Sequence, residues 1–180
     1  MVEMLGVLAI IGVLSAGGLA GYSKAMFKHK LNNTIDQITM LVTNIRTMYG
    51  TQDNYSNISG TIDKLGIIPA AMGSSYSKLV NPFKGTVTIL PSNATGNDET
   101  TATAFVVTYN GLPKEACIAL ATADWGAGAG SGFLGAKIGS DSARTVASII
   151  TGSGEGYVYP IGTAAETCAN TTDSVSLKFY

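Results

Sequence analysis

Residues 4 to 22, MLGVLAIIGVLSAGGLAGY, carry no charge and are apolar almost throughout. The acid Glu3 stands immediately before them. A soluble core helix rarely stays apolar on every face, so this segment belongs in hydrocarbon or in a protein core that imitates it. A cleaved secretory signal needs a basic start and a small-residue break at its end. No Lys or Arg precedes this run, and a helical pattern continues out of it. Its length is close to the roughly 20 residues that span a bilayer.

Beyond the run, Phe27, Leu31, Ile35, Ile38, Val42, Ile45 and Tyr49 recur at spacings of three and four, with polar residues between them. That is one apolar stripe on a helix. No Pro occurs before Pro69, so the sequence predicts one unbroken helix to about Tyr49. At 1.5 Å per residue it is about 70 Å long. Its first half has no domain of its own to cover it, so that half must meet lipid or other copies of itself. The expected division is a membrane or filament-core segment (1–23), the amphipathic half of the same helix (24–50) and a head (51–180).

The head reads as α+β. Residues 50–85 are rich in Gly, Ser, Asn and Pro, with a short helix candidate at Ile62 to Leu65. Strand candidates follow at Thr86 to Leu90, Ala104 to Tyr109, Gly156 to Tyr159 and Val175 to Phe179. Val87 and Ile89 alternate with threonines, the pattern of a half-buried antiparallel strand. Pro113 to Ala123 reads as a helix and Gly126 to Gly135 as a flexible loop. The expected architecture packs an antiparallel sheet on the upper half of the long helix.

The two cysteines, Cys117 and Cys168, have two readings: one disulfide in an exported protein, or two buried thiols in a cytosolic one. A membrane segment favours export. The bridge closes a loop of about 50 residues, contributing about 4 kcal/mol by the chain-entropy relation.

The chemistry-bearing motifs are few. Gly130, Gly132 and Gly135 fit GxGxxG with Glu155 further on, but no buried strand precedes them, as a dinucleotide site requires. His29 is the single histidine and lies in a basic helical patch. The cysteines lack zinc spacing, and Asp98 with Glu99 reads as a surface turn. A net charge of −1 gives no general field for nucleic acid. No cofactor, metal or catalytic group is expected. Sequons occur at Asn32, Asn54, Asn57, Asn93 and Asn170, with Asn54 and Asn57 best placed for surface sugar.

The segment MVEMLGVLAIIGVLSAGG with its amphipathic extension resembles the N-terminus of type IV pilins and pseudopilins. GLPKEACIALATADWG, a second cysteine near the end and the strand-like SVSLKF look like the type IVb subclass. The resemblance implies the pilin roll, a disulfide that staples the C-terminal region of the head, and no enzymatic activity. In the family a dedicated prepilin peptidase removes a leader, the new N-terminus is methylated, and an acid follows four positions later. Glu3 matches that acid, which implies two further mature residues and a leader ahead of Met1. Lys24, Lys28, His29 and Lys30 follow the run and by themselves place the head in the cytoplasm; the basic leader of a pilin precursor reverses that bias.

The expected function is a major structural subunit of a type IV pilus. The subunit waits in the bacterial inner membrane and polymerises, through assembly machinery, into an extracellular homopolymer that needs no nucleic acid. Glu3 is expected to pair with a neighbour's N-terminal ammonium. Gly12, Gly17, Gly18 and Gly21 lower helix propensity, and the resemblance implies that the helix loosens there within the filament. The alternatives are a pseudopilin of a type II-like secretion system and a membrane-anchored periplasmic enzyme or binding module.

Overall fold

The computed structural model of the chain describes residues 2–52, 54–93, 102–126, 132–139, 158–169 and 173–180. Helix α1 runs without interruption over Val2–Tyr49, 48 residues. Its upper half carries the apolar stripe into the head. Ile38, Leu41, Val42, Ile45 and Tyr49 are buried, and Phe27, Leu31 and Ile35 pack at the lower edge of the same core. Phe27 meets Phe83 with ring centroids 5.6 Å apart, which marks how far down the helix the head reaches.

The segment after α1 lies over the helix and forms α2 (Ile58–Leu65) and two 3-10 turns, Ala70–Met72 and Tyr76–Lys78. The expected short helix is one turn longer than its sequence signal. It starts at Ile58 because Ile58 and Ile62, four apart on one face, are both fully buried.

Among the described residues four strands form the sheet: β1 (Val87–Ser92), β2 (Ala104–Leu112), β3 (Phe133–Ile138) and β4 (Asp173–Phe179). Their order is β1-β2-β4-β3 and every pairing is antiparallel. Thr108 lies opposite Ser176 in the central pair, and β3 joins the far edge of β4 through Ile138 opposite Val175. Phe105, Val107, Tyr109, Val175, Leu177 and Phe179 enter the core shared with α1. Ring contacts run from Tyr49 through Tyr55, Phe105 and Phe179 to Phe133, each between 5.0 and 5.9 Å. They tie the top of α1 across the sheet to its β3 edge.

Strand β1 has the half-buried alternation that its sequence suggested: Val87 and Ile89 are inside and Thr88 is out. Strands β2 and β4 differ, being buried on both faces. On the face away from α1 the Thr108 and Ser176 hydroxyls hydrogen-bond at 2.8 Å.

Two further elements flank the sheet. Helix α3 (Lys114–Thr122) begins directly after Pro113, whose missing N–H costs nothing at a helix start. Helix α4 (Ile161–Thr167) follows Pro160 in the same way.

The strand expected at Gly156 to Tyr159 is not formed in its described part. Val158 and Tyr159 are irregular, and Tyr159 donates its N–H to Ala121 O at 3.3 Å. The following Pro160 opens α4, so this apolar pair serves as a lead-in packed against the core. Conversely, part of the expected loop at Gly126 to Gly135 is strand β3. Its glycines hid the strand signal; pairing to β4 supplies what local propensity lacks.

Candidate assembly surface

The lower half of α1 stands clear of the head. Met4, Val7, Leu8, Ile10, Ile11, Val13, Leu14, Leu19 and Tyr22 are each 54–74% exposed. An exposed contiguous apolar surface of this size marks an interaction site. The helix is long and apolar enough to cross a membrane. Glu3 lies within α1 near its start. Gly12, Gly17, Gly18 and Gly21 all lie in the same helix, and a β-carbon added at any of them would meet no atom within 4 Å. In the single copy, therefore, nothing among the described residues packs against the faces these glycines open.

Just above the apolar run the helix becomes basic. Lys24 and Lys28 are exposed, one turn apart, and neither has an ion-pair partner among the described residues. His29 Nε2 lies 3.3 Å from Asn33 Nδ2. Higher still, a groove of about 290 Å³ runs between α1 and the 3-10 turn, lined by Asn33, Asp36, Gln37, Met40, Pro69 and Ala71. Met40 is 54% exposed, whereas Gln37 is 8% exposed and its Oε1 accepts no hydrogen bond. This groove had no separate signal in the sequence. It exists because chain around Pro69 folds back along the helix.

The predicted disulfide is formed. Cys117, in α3, and Cys168, directly after α4, are bonded and fully buried, with their α-carbons 6.0 Å apart. The bridge clamps α4 to α3, which packs on β3 and β4. Asp173, the first residue of β4, lies within 4.8 Å of both sulfurs. Sulfurs bonded to each other offer no thiolate for a metal.

Other residues singled out in the sequence are separated. Asn54 and Asn57 are exposed on the turn before α2, and Asn54 Oδ1 accepts from the Ser56 N–H at 2.9 Å and the Ser56 hydroxyl at 2.6 Å. Asn170, Asp98, Glu99, Gly130 and Glu155 lie outside the described residues. Gly132 has a structural task. Its φ is +76°, and an added β-carbon would lie 2.6 Å from Arg46 Nη2, so the Arg46 guanidinium closes over it and joins α1 to the start of β3. Lys178, in β4, was not anticipated: it has no exposed surface, and its Nζ makes no hydrogen bond. Burial lowers its pKa from the ordinary lysine value.

The chain is similar to known pilus proteins along its length. Over 182 aligned residues it is 26% identical to the major structural subunit of bundle-forming pilus of Escherichia coli O127:H6 (strain E2348/69 / EPEC), covering 100% of this chain and 91% of that one. The corresponding subunit of Escherichia coli O111:H- is 29% identical over 131 residues, 72% of this chain and 65% of its own length. In fold it matches the crystal structure of TcpA, a type IV pilin from Vibrio cholerae El Tor biotype. The TM-score is 0.53 at 17% identity, over 84% of this chain and 99% of that one. The bundlin family profile matches residues 24–177, and the chain thus belongs to the bundlin family, with a type IV pilin fold.

Proposed function

We propose that this chain is the major structural subunit of a type IV pilus and acts by polymerising. The observation that carries the proposal is the contrast within α1. One helix is covered by its own head above Phe27 and bare, apolar and membrane-length below Tyr22. The division at residues 1–23, 24–50 and 51–180 follows that contrast. Before assembly the bare half resides in the inner membrane. During assembly it moves into a bundle of identical halves and ends in a filament outside the cell. Prepilin peptidase and the assembly machinery are the partners this route requires.

Lipid tails and the side chains of a helix bundle are equally apolar, so the transfer has little hydrophobic driving force of its own. Polar contacts and close packing must then set the register. Glu3 is proposed to pair with the N-terminal ammonium of a neighbour. Gly12, Gly17, Gly18 and Gly21 are proposed to let the helix loosen once it is in the bundle.

Electron microscopy of material sheared from cells, with mass spectrometry of the N-terminal peptide, tests the proposal. Abundant extracellular fibre built from this chain is the expected result. A short periplasmic assembly with nothing in the sheared fraction would instead identify a pseudopilin. A monomer that stays in the membrane while its machinery is present would refute polymerisation.

A further inference from the structure

Two patches on α1 lack partners among the described residues, and they are complementary. The first is Lys24 with Lys28, exposed at the lower edge of the head. The second is the groove with an apolar floor of Met40, Pro69 and Ala71, an exposed carboxylate at Asp36 and the unpartnered, nine-tenths buried Oε1 of Gln37. Neither Lys24, Lys28 nor Asp36 forms an ion pair among the described residues.

We propose that the Asp36 groove of one copy receives the Lys24 and Lys28 side chains of a second copy, fixing the axial stagger between them. This rests on the polymerisation proposed above. Lysine suits the site in both its parts: its methylenes cover the exposed apolar floor, and its ammonium offers three donors, enough for the Asp36 carboxylate and Gln37 Oε1 together.

The directions are compatible with parallel stacking. At 100° per residue, Lys24 and Lys28 lie to one side of the face of Phe27 and Leu31 that points toward the sheet, while Asp36, Met40 and Asn33 lie about 130° further round the axis, away from the sheet and beside the Pro69 segment. The lysines of one copy, at the lower edge of their own head, therefore meet the back of another copy whose head occupies that level. Asp36 is eight residues above Lys28 and twelve above Lys24, so the two copies are offset along the axis by about 12–18 Å. Because two different patches meet, the contact is heterologous. It is never satisfied within a pair, and it propagates into an open helix instead of closing as a dimer. The same patches continue the bare stalk upward, so the contact extends the surface that polymerisation already covers.

Charge reversal tests the pairing in the full-length chain with its assembly machinery. Asp36→Lys alone, and Lys24→Asp with Lys28→Asp, are each expected to cut sheared-filament yield at least tenfold. Membrane insertion and the closed disulfide should be kept in both. Combining all three substitutions is expected to restore yield to within about threefold of the unaltered chain. Wild-type yield from Asp36→Lys, or no recovery in the combination while every variant stays inserted and folded, overturns the pairing. A second test avoids charge reversal: filaments of a Lys28→Cys, Asp36→Cys variant treated with a short bismaleimide should give a ladder of linked subunits. Intact filaments without a ladder overturn the pairing and leave polymerisation standing. Absence of fibres from the unaltered chain instead refutes polymerisation itself.

Discussion

The α-carbon of Gly85 rests against the main-chain carbonyl of Asn110: a β-carbon at residue 85 would lie 1.6 Å from that oxygen. Asn81 completes the corner. Its Nδ2 donates to Asn110 O at 2.8 Å, and its Oδ1 accepts from the Phe83 and Gly85 N–H groups at 2.9 and 3.1 Å. The corner leads the chain into β1 beside the far end of β2. The two nearest atoms, Asn110 O and C, are main chain, so no rotamer change relieves the overlap. Gly85→Ala is expected to destabilise the head by at least about 3 kcal/mol. Urea unfolding followed by Trp125 fluorescence in detergent checks this, and a loss under 1 kcal/mol would show that the corner yields freely.

The Cys117–Cys168 bridge closes a loop with a sequence separation of 51 that contains β3 and α4. Replacing both cysteines with serine is expected to lower stability by about 4 kcal/mol through the freed unfolded chain. The fall should appear in the denaturation midpoint of the purified chain, and reductant should reproduce it in the unaltered protein. An unchanged midpoint would mean that packing of α3 and α4 alone holds the region.

Lys178 predicts a pH dependence of unusual sign. Burial lowers its pKa below the ordinary 10.5. Between the lowered value and 10.5 the unfolded chain binds more protons than the folded one, so this residue makes stability rise with pH across that window. Below the window its burial penalty is fully present. Lys178→Met keeps the length and removes the charge. It is expected to stabilise the head by about 1–3 kcal/mol at neutral pH, the cost of a buried unsatisfied donor. The gain should shrink as pH approaches 10.5. Unfolding curves of both chains at several pH values check it; a loss of stability at neutral pH would imply a partner for the ammonium.

Much of this molecule was legible in its sequence, because its largest elements are written in simple periods. The spacing from Phe27 to Tyr49 gave α1 and its buried face, and the alternation around Val87 and Ile89 gave β1. What stayed hidden depended on contacts distant in sequence. Strand β3 is recruited by β4 despite Gly135, and the pair Val158 and Tyr159 looks like a strand until Pro160 starts a helix. The groove at Asp36 and Gln37 is made by chain from around Pro69, more than 30 residues away. Lys178 belongs to a strand whose sequence alternates, yet both faces of that strand are buried, which no alternation can announce.

Glu3 adjoins the apolar run, and a carboxylate driven into the bilayer costs about 3 kcal/mol. A neighbour's ammonium within the bundle would offset that cost only after assembly. Glu3→Ala is therefore expected to leave membrane insertion intact and abolish filaments. Fractionation of membranes alongside shearing separates the two effects. Normal fibre from the Ala variant would remove Glu3 from the assembly step.

The glycines of the lower helix carry the last prediction. In the single copy α1 is continuous through Gly12, Gly17, Gly18 and Gly21, with open space where their β-carbons would be. Each glycine lowers helix stability by about 1 kcal/mol relative to alanine. Gly17→Ala with Gly18→Ala should therefore stabilise the helix by about 2 kcal/mol without disturbing the head or insertion. If loosening accompanies packing into the filament, that gain opposes assembly, and filament yield should fall several-fold. Circular dichroism of the monomer and shearing of cells measure the two sides. Electron cryomicroscopy of unaltered fibres decides the matter directly, and an unbroken helix across residues 12–21 there would exclude the loosening.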